Sequence, residues 1–253
     1  MDFDISHLLE QWDYEPGKVA VRRFKGRDGK DKIQLRVDMG LLQMEAAGRP
    51  DGKRPFGYTS LFDYHKARRY QHLLRHRGSD EGFKLSATDC LKLQVEALQY
   101  HHRYICLLEL EDYPGVVRDA ERNLAVFDFA GTHAGSEELA WSLQQLQPQL
   151  LMILTRARGL QALTVNDHAR AIELVEQGVD NIRAFYNEHS RPDLIVPSAE
   201  LQSLEAWLSD LHAARPLSPR ERLERALSEA VKREDYEKAA LMRDALRNLK
   251  TSE

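Results

Sequence analysis

The sequence predicts a mainly α fold: a bundle of helical hairpins, preceded by a small β-hairpin module and closed by an antiparallel helical hairpin. Three observations carry this reading. Strand-like alternation of apolar and polar residues is confined to residues 18–38. From Ser86 onward helix-start signals follow one another with helical periodicity between them. The last thirty or so residues hold two short amphipathic stretches on either side of Glu234-Asp235. The expected domains are 1–85, an N-terminal module with the β-hairpin and one helix; 86–215, a helical domain; and 216–253, the terminal hairpin.

In the N-terminal module, Val19 and Val21, then Ile33, Leu35 and Val37, alternate with polar partners, which predicts strands over 18–25 and 32–38. Between them, Gly26-Arg27-Asp28-Gly29-Lys30 supplies the Asp-Gly pair that a tight hairpin turn favours. Two strands alone are not stable in water, so their apolar face is expected on the flanking segments that carry Trp12, Tyr14, Leu41 and Leu42. Residues 48–55 are a loop by composition, dense in turn formers and basic side chains. Ser60 then starts a helix, with Asp63 completing a capping box and Phe62, Ala67, Tyr70 and Leu74 on the buried side; Gly78-Ser79-Asp80-Glu81-Gly82 ends the module.

The helical domain divides at its caps. Ser86 with Asp89, and Thr164 with Asp167, read as capping boxes, Ser136 and Ser198 as N-caps, and Pro114 as a first-turn residue. Helices follow at 86–111, 114–130, 137–162, 165–189 and 198–214. Pro148 lacks an N–H and clashes with the preceding turn, so it should kink or split the third. Leu194-Ile195-Val196-Pro197 reads as an extended connector. The openings Asp112-Tyr113-Pro114-Gly115-Val116-Val117 and Asp167-His168-Ala169-Arg170-Ala171-Ile172 resemble the start of the second helix of a tetratricopeptide unit. They stand 55 residues apart, where that repeat has a period of about 34.

At the carboxyl end, Ser218-Pro219-Arg220-Glu221 opens a helix with Leu223, Leu227, Ala230 and Val231 on one side. Ala239, Met242, Leu246 and Leu249 give the next helix a seam opposite them, and Ala239 and Ala240 are small enough for close approach. Tyr236 follows the acidic turn, where its ring can cover the hairpin end. Helices of about fourteen residues are marginal in isolation and depend on burying the apolar stripe. The candidate partner-binding surface is therefore Leu223, Leu227, Val231, Tyr236, Ala239, Met242, Leu246 and Leu249; the alternative is that this seam packs on the chain's own helices.

Leu223, Leu227, Ala230, Val231, Tyr236, Ala239 and Leu249, together with Glu234, Asp235, Glu237, Ala240, Arg243 and Asp244, resemble the UVR motif, the segment found at the end of the excision-repair protein UvrB, in its partner UvrC, and in regulators of Clp proteases. Met242 stands where that family usually has leucine. The resemblance implies that the hairpin pairs with another copy, in a second molecule of this chain or in another UVR-bearing protein, and that the chain is a scaffold or adaptor, with regulation of a Clp-type protease or a kinase as a further implied role. It covers only the last eighth of the sequence. Residues 12–17, 32–36 and 40–52 resemble the front end of bacterial proteins that carry a UVR segment at their far end, a likeness that brings no activity with it.

Composition narrows the remaining classes. The formal charge of -4 over 253 residues excludes a surface that is basic throughout. Residues 1–85 nevertheless hold 17 Lys and Arg against 13 Asp and Glu. Arg22, Arg23, Lys25, Arg27, Lys30, Arg49, Lys53 and Arg54, with Lys32 and Arg36, are the candidate nucleic-acid contacts, with Phe24, Phe56 or Tyr58 as stacking faces; interleaved Asp28, Asp31, Asp38 and Asp51 argue for a solvated mixed-charge face. His72 and His76 are four apart with His65 two turns earlier, yet no acidic or cysteine ligand stands at a matching interval, so an exposed polar face is expected and no metal. Cys90 and Cys106, sixteen apart on one helix, are too distant to pair within it and read as core residues of a protein in a reducing cytoplasm. The acidic start Met1-Asp2-Phe3-Asp4 does not read as a signal peptide, and no apolar run is long enough for a bilayer, so no membrane partner is expected. Phosphate-binding glycine loops, nucleophile elbows, zinc-protease helices and CxxC pairs are absent, so the expectation is a protein without enzymatic activity or cofactor.

Overall fold

A computed structural model describes the backbone of residues 4–216 and 219–250, and the side chains of all of these except 219 and 248–250. Met1 to Phe3, the helix opener Ser218 and the side chain of Leu249 lie outside the described residues. The chain divides into two compact units, Met1–Leu208 and Ser209–Glu253.

The first unit opens with a single turn, α1 (Ser6–Glu10), followed by β1 (Ala20–Lys25), β2 (Asp31–Val37) and β3 (Gly40–Glu45). The strands form an antiparallel meander in the order β1-β2-β3, with Arg23 opposite Ile33 and Ile33 opposite Met44. The five-residue turn closes as the Asp-Gly pair predicts: Gly26 N–H donates to Lys30 O and Gly29 takes a left-handed φ of 75°. The third strand is a correction. Adjacent Leu41 and Leu42 break the alternation that marks a half-buried strand, and only Met44 from β3 enters the core.

The covering of the sheet is also a correction. Ile33 and Met44 join the helical core cluster, so the apolar face lies on the helices. Trp12 and Tyr14 instead accompany the cationic side chains: Arg22 stacks 4.3 Å over Trp12, Arg36 lies 5.6 Å from the Tyr14 ring, and Arg36 Nε donates to Trp12 O at 3.0 Å.

After the loop comes α2 (Leu61–Arg75), N-capped by the Ser60 hydroxyl, which accepts from Asp63 N–H at 3.0 Å. Leu61, Phe62 and His65 are its buried residues, whereas Tyr70 and Leu74, expected inside, are 63% and 67% exposed. The first turn of this helix is anchored by buried Glu96, which accepts Leu61 N–H at 2.8 Å and Phe62 N–H at 3.3 Å, and farther along Arg69 pairs with Asp80.

The row of helices that follows is α3 (Ala87–Glu109), α4 (Tyr113–His133), α5 (Glu137–Gln144), α6 (Gln147–Thr164), α7 (His168–Glu188) and α8 (Ala199–Ala214), within which the division at Leu208 falls. Each long helix packs on its neighbour, α3 on α4, α4 on α6 and α6 on α7. Ser86 and Asp89 form the expected capping box, Ser136 caps α5, and Pro148 stands in the first turn of α6, so it splits the predicted 137–162 segment into two helices. Two local readings are corrected. Thr164 ends α6 and donates to Gln161 O, leaving Asp167 alone as the cap of α7. Residues 192–197 turn on themselves as a 3-10 turn and a following turn, because Pro192 fixes φ and Leu194 N–H and Ile195 N–H bond back to Arg191 O and Pro192 O.

Two helical hairpins of this unit are made by one device. After α3, Asp112 N–H bonds to Leu107 O and Glu111 N–H to Leu108 O with Glu111 at φ 55°; after α6, Asp167 N–H bonds to Ala162 O and Asn166 N–H to Leu163 O with Asn166 at φ 58°. This is a Schellman closure with a non-glycine residue in the left-handed position. The aspartate that ends it then caps the next helix, Asp112 accepting Gly115 N–H and Asp167 accepting Arg170 N–H.

Candidate functional site

The second unit carries α9 (Pro219–Lys232) and α10 (Tyr236–Lys250), packed against each other. Their connection repeats the same device: Asp235 N–H bonds to Ala230 O at 2.9 Å, Glu234 N–H to Val231 O at 3.1 Å with Glu234 at φ 58°, and Asp235 accepts Lys238 N–H at 3.1 Å. Glu234-Asp235 is thus turn and cap in two residues. Ala230 and Ala239, on either side of it, are buried, small enough to let the helices close.

Among the described side chains of α9 and α10, nothing larger than alanine is fully buried. Leu223, Leu227, Met242 and Leu246 are half-buried, while Val231, Tyr236 and Leu241 are 52%, 70% and 66% exposed. Full burial of a large apolar side chain is worth about 1.5–3 kcal/mol, so covering what remains of these seven leaves several kcal/mol to be gained. Leu241 escaped the sequence reading because it lies off the seam of Ala239, Met242 and Leu246. Ion pairs Arg220–Glu224 (2.8 Å) and Arg225–Glu229 (3.2 Å) run at four-residue spacing along α9.

The comparison with known families follows this geometry. Residues 220–252 match the family described as UVR, the UvrB/uvrC motif. The terminal hairpin is a UVR motif. No curated protein and no solved structure matches the chain.

The basic candidates are sorted by the structure into three kinds. Arg36 is buried and donates to the carbonyls of Trp12, Val37, Asp38 and Gly40, and Arg22 bonds Gln34 at 2.8 Å, so both serve the sheet. Arg23 pairs with Asp112 (2.5 Å), Lys25 with Asp31 (2.8 Å), Lys32 with Asp28 and Glu45, and Arg49 with Asp51 and Glu96. Arg27, Lys30, Lys53 and Arg54 are exposed and, among the described residues, make no ion pair. Burial pushes the Asp112 carboxyl up, but Arg23 and the Gly115 N–H outweigh it and hold the group below the usual range.

Sequence reasoning missed a buried polar network. Arg103, 1% exposed, donates to both oxygens of Asp119 (2.6 and 2.8 Å) and to the carbonyls of Glu45 (3.0 Å) and Gly48 (2.7 Å). Fully buried Glu96 takes Arg49 and Arg122 in addition to the α2 N-terminus. His65 is enclosed beside them, correcting its expected place on an exposed face; burial first of all lowers its pKa. His72 and His76 stack at 3.9 Å, and no group of three metal-ligating side chains occurs among the described residues. The helical region also holds an unforeseen apolar groove of about 400 Å³, where Leu91, Val95 and Leu98 of α3 face Phe127, Leu146 and Leu150. The signal was present: these three recur at four and three residues beside the buried Cys90, Leu93 and Ala97, making α3 apolar on more than one face. No helix among the described residues is long and apolar enough to cross a membrane.

Proposed function

We propose that the chain is a non-enzymatic protein–protein adaptor that associates through its UVR hairpin with a second UVR hairpin, in another copy of itself or in a different protein. One observation carries this: in the α9–α10 hairpin only alanines are fully buried among the described side chains, while Val231, Tyr236 and Leu241 stand in solvent and four larger side chains are half-covered. A second hairpin supplies a complementary stripe of the same kind, so association completes a four-helix core that two helices cannot form alone. The apolar groove on α3, α4 and α6 supports the scaffold part of this reading, as a place for a client segment. Service to a Clp-type protease or a kinase in the cytoplasm is a narrower form of the same role.

The test uses the full chain. Leu227→Asp with Leu246→Asp should abolish association, read as mass by light scattering. Because those residues also hold α9 against α10, Val231→Lys with Leu241→Lys provides a second variant whose side chains are exposed; it should weaken association at least tenfold with helical circular dichroism unchanged. Undiminished association in the second variant sinks the proposal.

A further inference from the structure

Outside the UVR hairpin, we infer that the first unit carries a binding cleft for single-stranded nucleic acid, with phosphates held by Lys30, Lys53 and Arg54 and a base stacked on Phe56. The cleft, about 750 Å³, lies between the β1–β2 turn, the 45–54 loop and the start of α4. Its three lining carboxylates are neutralised internally, Asp31 by Lys25, Glu45 by Lys32 and Asp112 by Arg23. The cations left over are Lys30, Lys53 and Arg54, with Arg27 beside them on the turn. A groove whose acids are already paired and whose free charges are all positive favours a polyanion.

Phe56 turns that preference toward bases. It sits between cleft residues Arg54 and Thr59, one ring face stacked on Tyr64 at 4.4 Å, and is still 68% exposed. Its backbone is left-handed, φ 51°, an uncommon conformation for a bulky side chain. A large aromatic ring held in water two residues along the chain from a cleft cation can serve as a stacking platform, which suits an unpaired base because a duplex keeps its base faces covered.

The experiment measures anisotropy of fluorescein-labelled dT20 and U20 with the full chain, with a dT20·dA20 duplex and inorganic polyphosphate as competitors. Three phosphate contacts at about 0.7 each predict a loss of affinity on the order of twenty-fold between 50 and 200 mM salt. Lys53→Glu with Arg54→Glu should weaken binding at least tenfold and flatten the salt slope by about 1.4, and Phe56→Ala should cost roughly tenfold with the slope unchanged. All three side chains are exposed, so an unchanged melting temperature accompanies these effects. No binding at 25 mM salt, equal competition by polyphosphate, tighter binding of the duplex, or indifference to the Lys53 and Arg54 changes would each overturn the inference.

Discussion

Replacing Asp119 with alanine isolates the buried guanidinium of Arg103. In the native chain Arg103 has four acceptors, two on Asp119 at 2.6 and 2.8 Å and the carbonyls of Glu45 and Gly48, and both partners of the ion pair are 1% exposed. The substitution leaves the charge in place with two of its four acceptors gone. Breaking a buried pair from one side costs about 3–5 kcal/mol. At about 2–4 °C per kcal/mol for a unit of this size, the melting temperature should fall by roughly 6–20 °C. Urea denaturation followed by circular dichroism measures the loss. Arg103→Met together with Asp119→Leu removes the stranded charge but leaves the two loop carbonyls without that donor, at about 1–3 kcal/mol each, so its loss should be of the same order as that of Asp119→Ala. Hydrogen exchange over residues 45–52 should accelerate in both, because Arg103 ties that loop to α3. A loss below about 1 kcal/mol for Asp119→Ala, or protection of 45–52 unchanged, would refute the reasoning.

Other outcomes follow from the same geometry. A Cβ on Gly178 would lie 2.2 Å from Thr155 Oγ1, so Gly178→Ala should destabilise the α6–α7 pair by about 1–3 kcal/mol, and adding Thr155→Ala should recover most of it in thermal melts. Ala239→Leu should overpack the UVR hairpin by a similar amount and lower its helical signal. Burial lowers the pKa of His65, His101, His102 and His133. Each takes a proton less readily in the folded chain than in the unfolded one, so stability is full above about pH 6.5 and falls as pH drops below it, by up to about 1.4 kcal/mol per pH unit for each. Melting temperatures between pH 8 and 5 check this; a flat profile contradicts it, and His65→Gln should reduce the slope.

What was legible in the sequence was whatever is decided within one turn. Ser86 with Asp89, Pro148 and Asp28-Gly29 each fix backbone by local hydrogen bonds or sterics, and each element they predict is present. The UVR hairpin was legible because its seam, turn and cap lie within about thirty contiguous residues. What was hidden depends on distant partners. Arg36, Arg49 and Arg103 carry the same side chain as Arg27 and Arg54, and only the fold determines which carbonyls and carboxylates reach them. Strand β3 was missed because its pairing with β2, not its own alternation, holds it. His65 and the far half of α2 were misplaced for a related reason: periodicity names a face, but Glu96, thirty-one residues later, decides which turns of that face are covered.

The two cysteines have a practical corollary. Cys90 and Cys106 both lie inside α3, with burial pushing the first thiol upward and the second to about 12. At neutral pH both buried thiols should therefore react slowly with maleimides. A single cysteine placed at Phe56 or Tyr236 will take a fluorophore alone, giving each surface its own reporter without first stripping the protein of its natural thiols. Slow alkylation of the unaltered chain becomes, in turn, a clock for how often α3 opens.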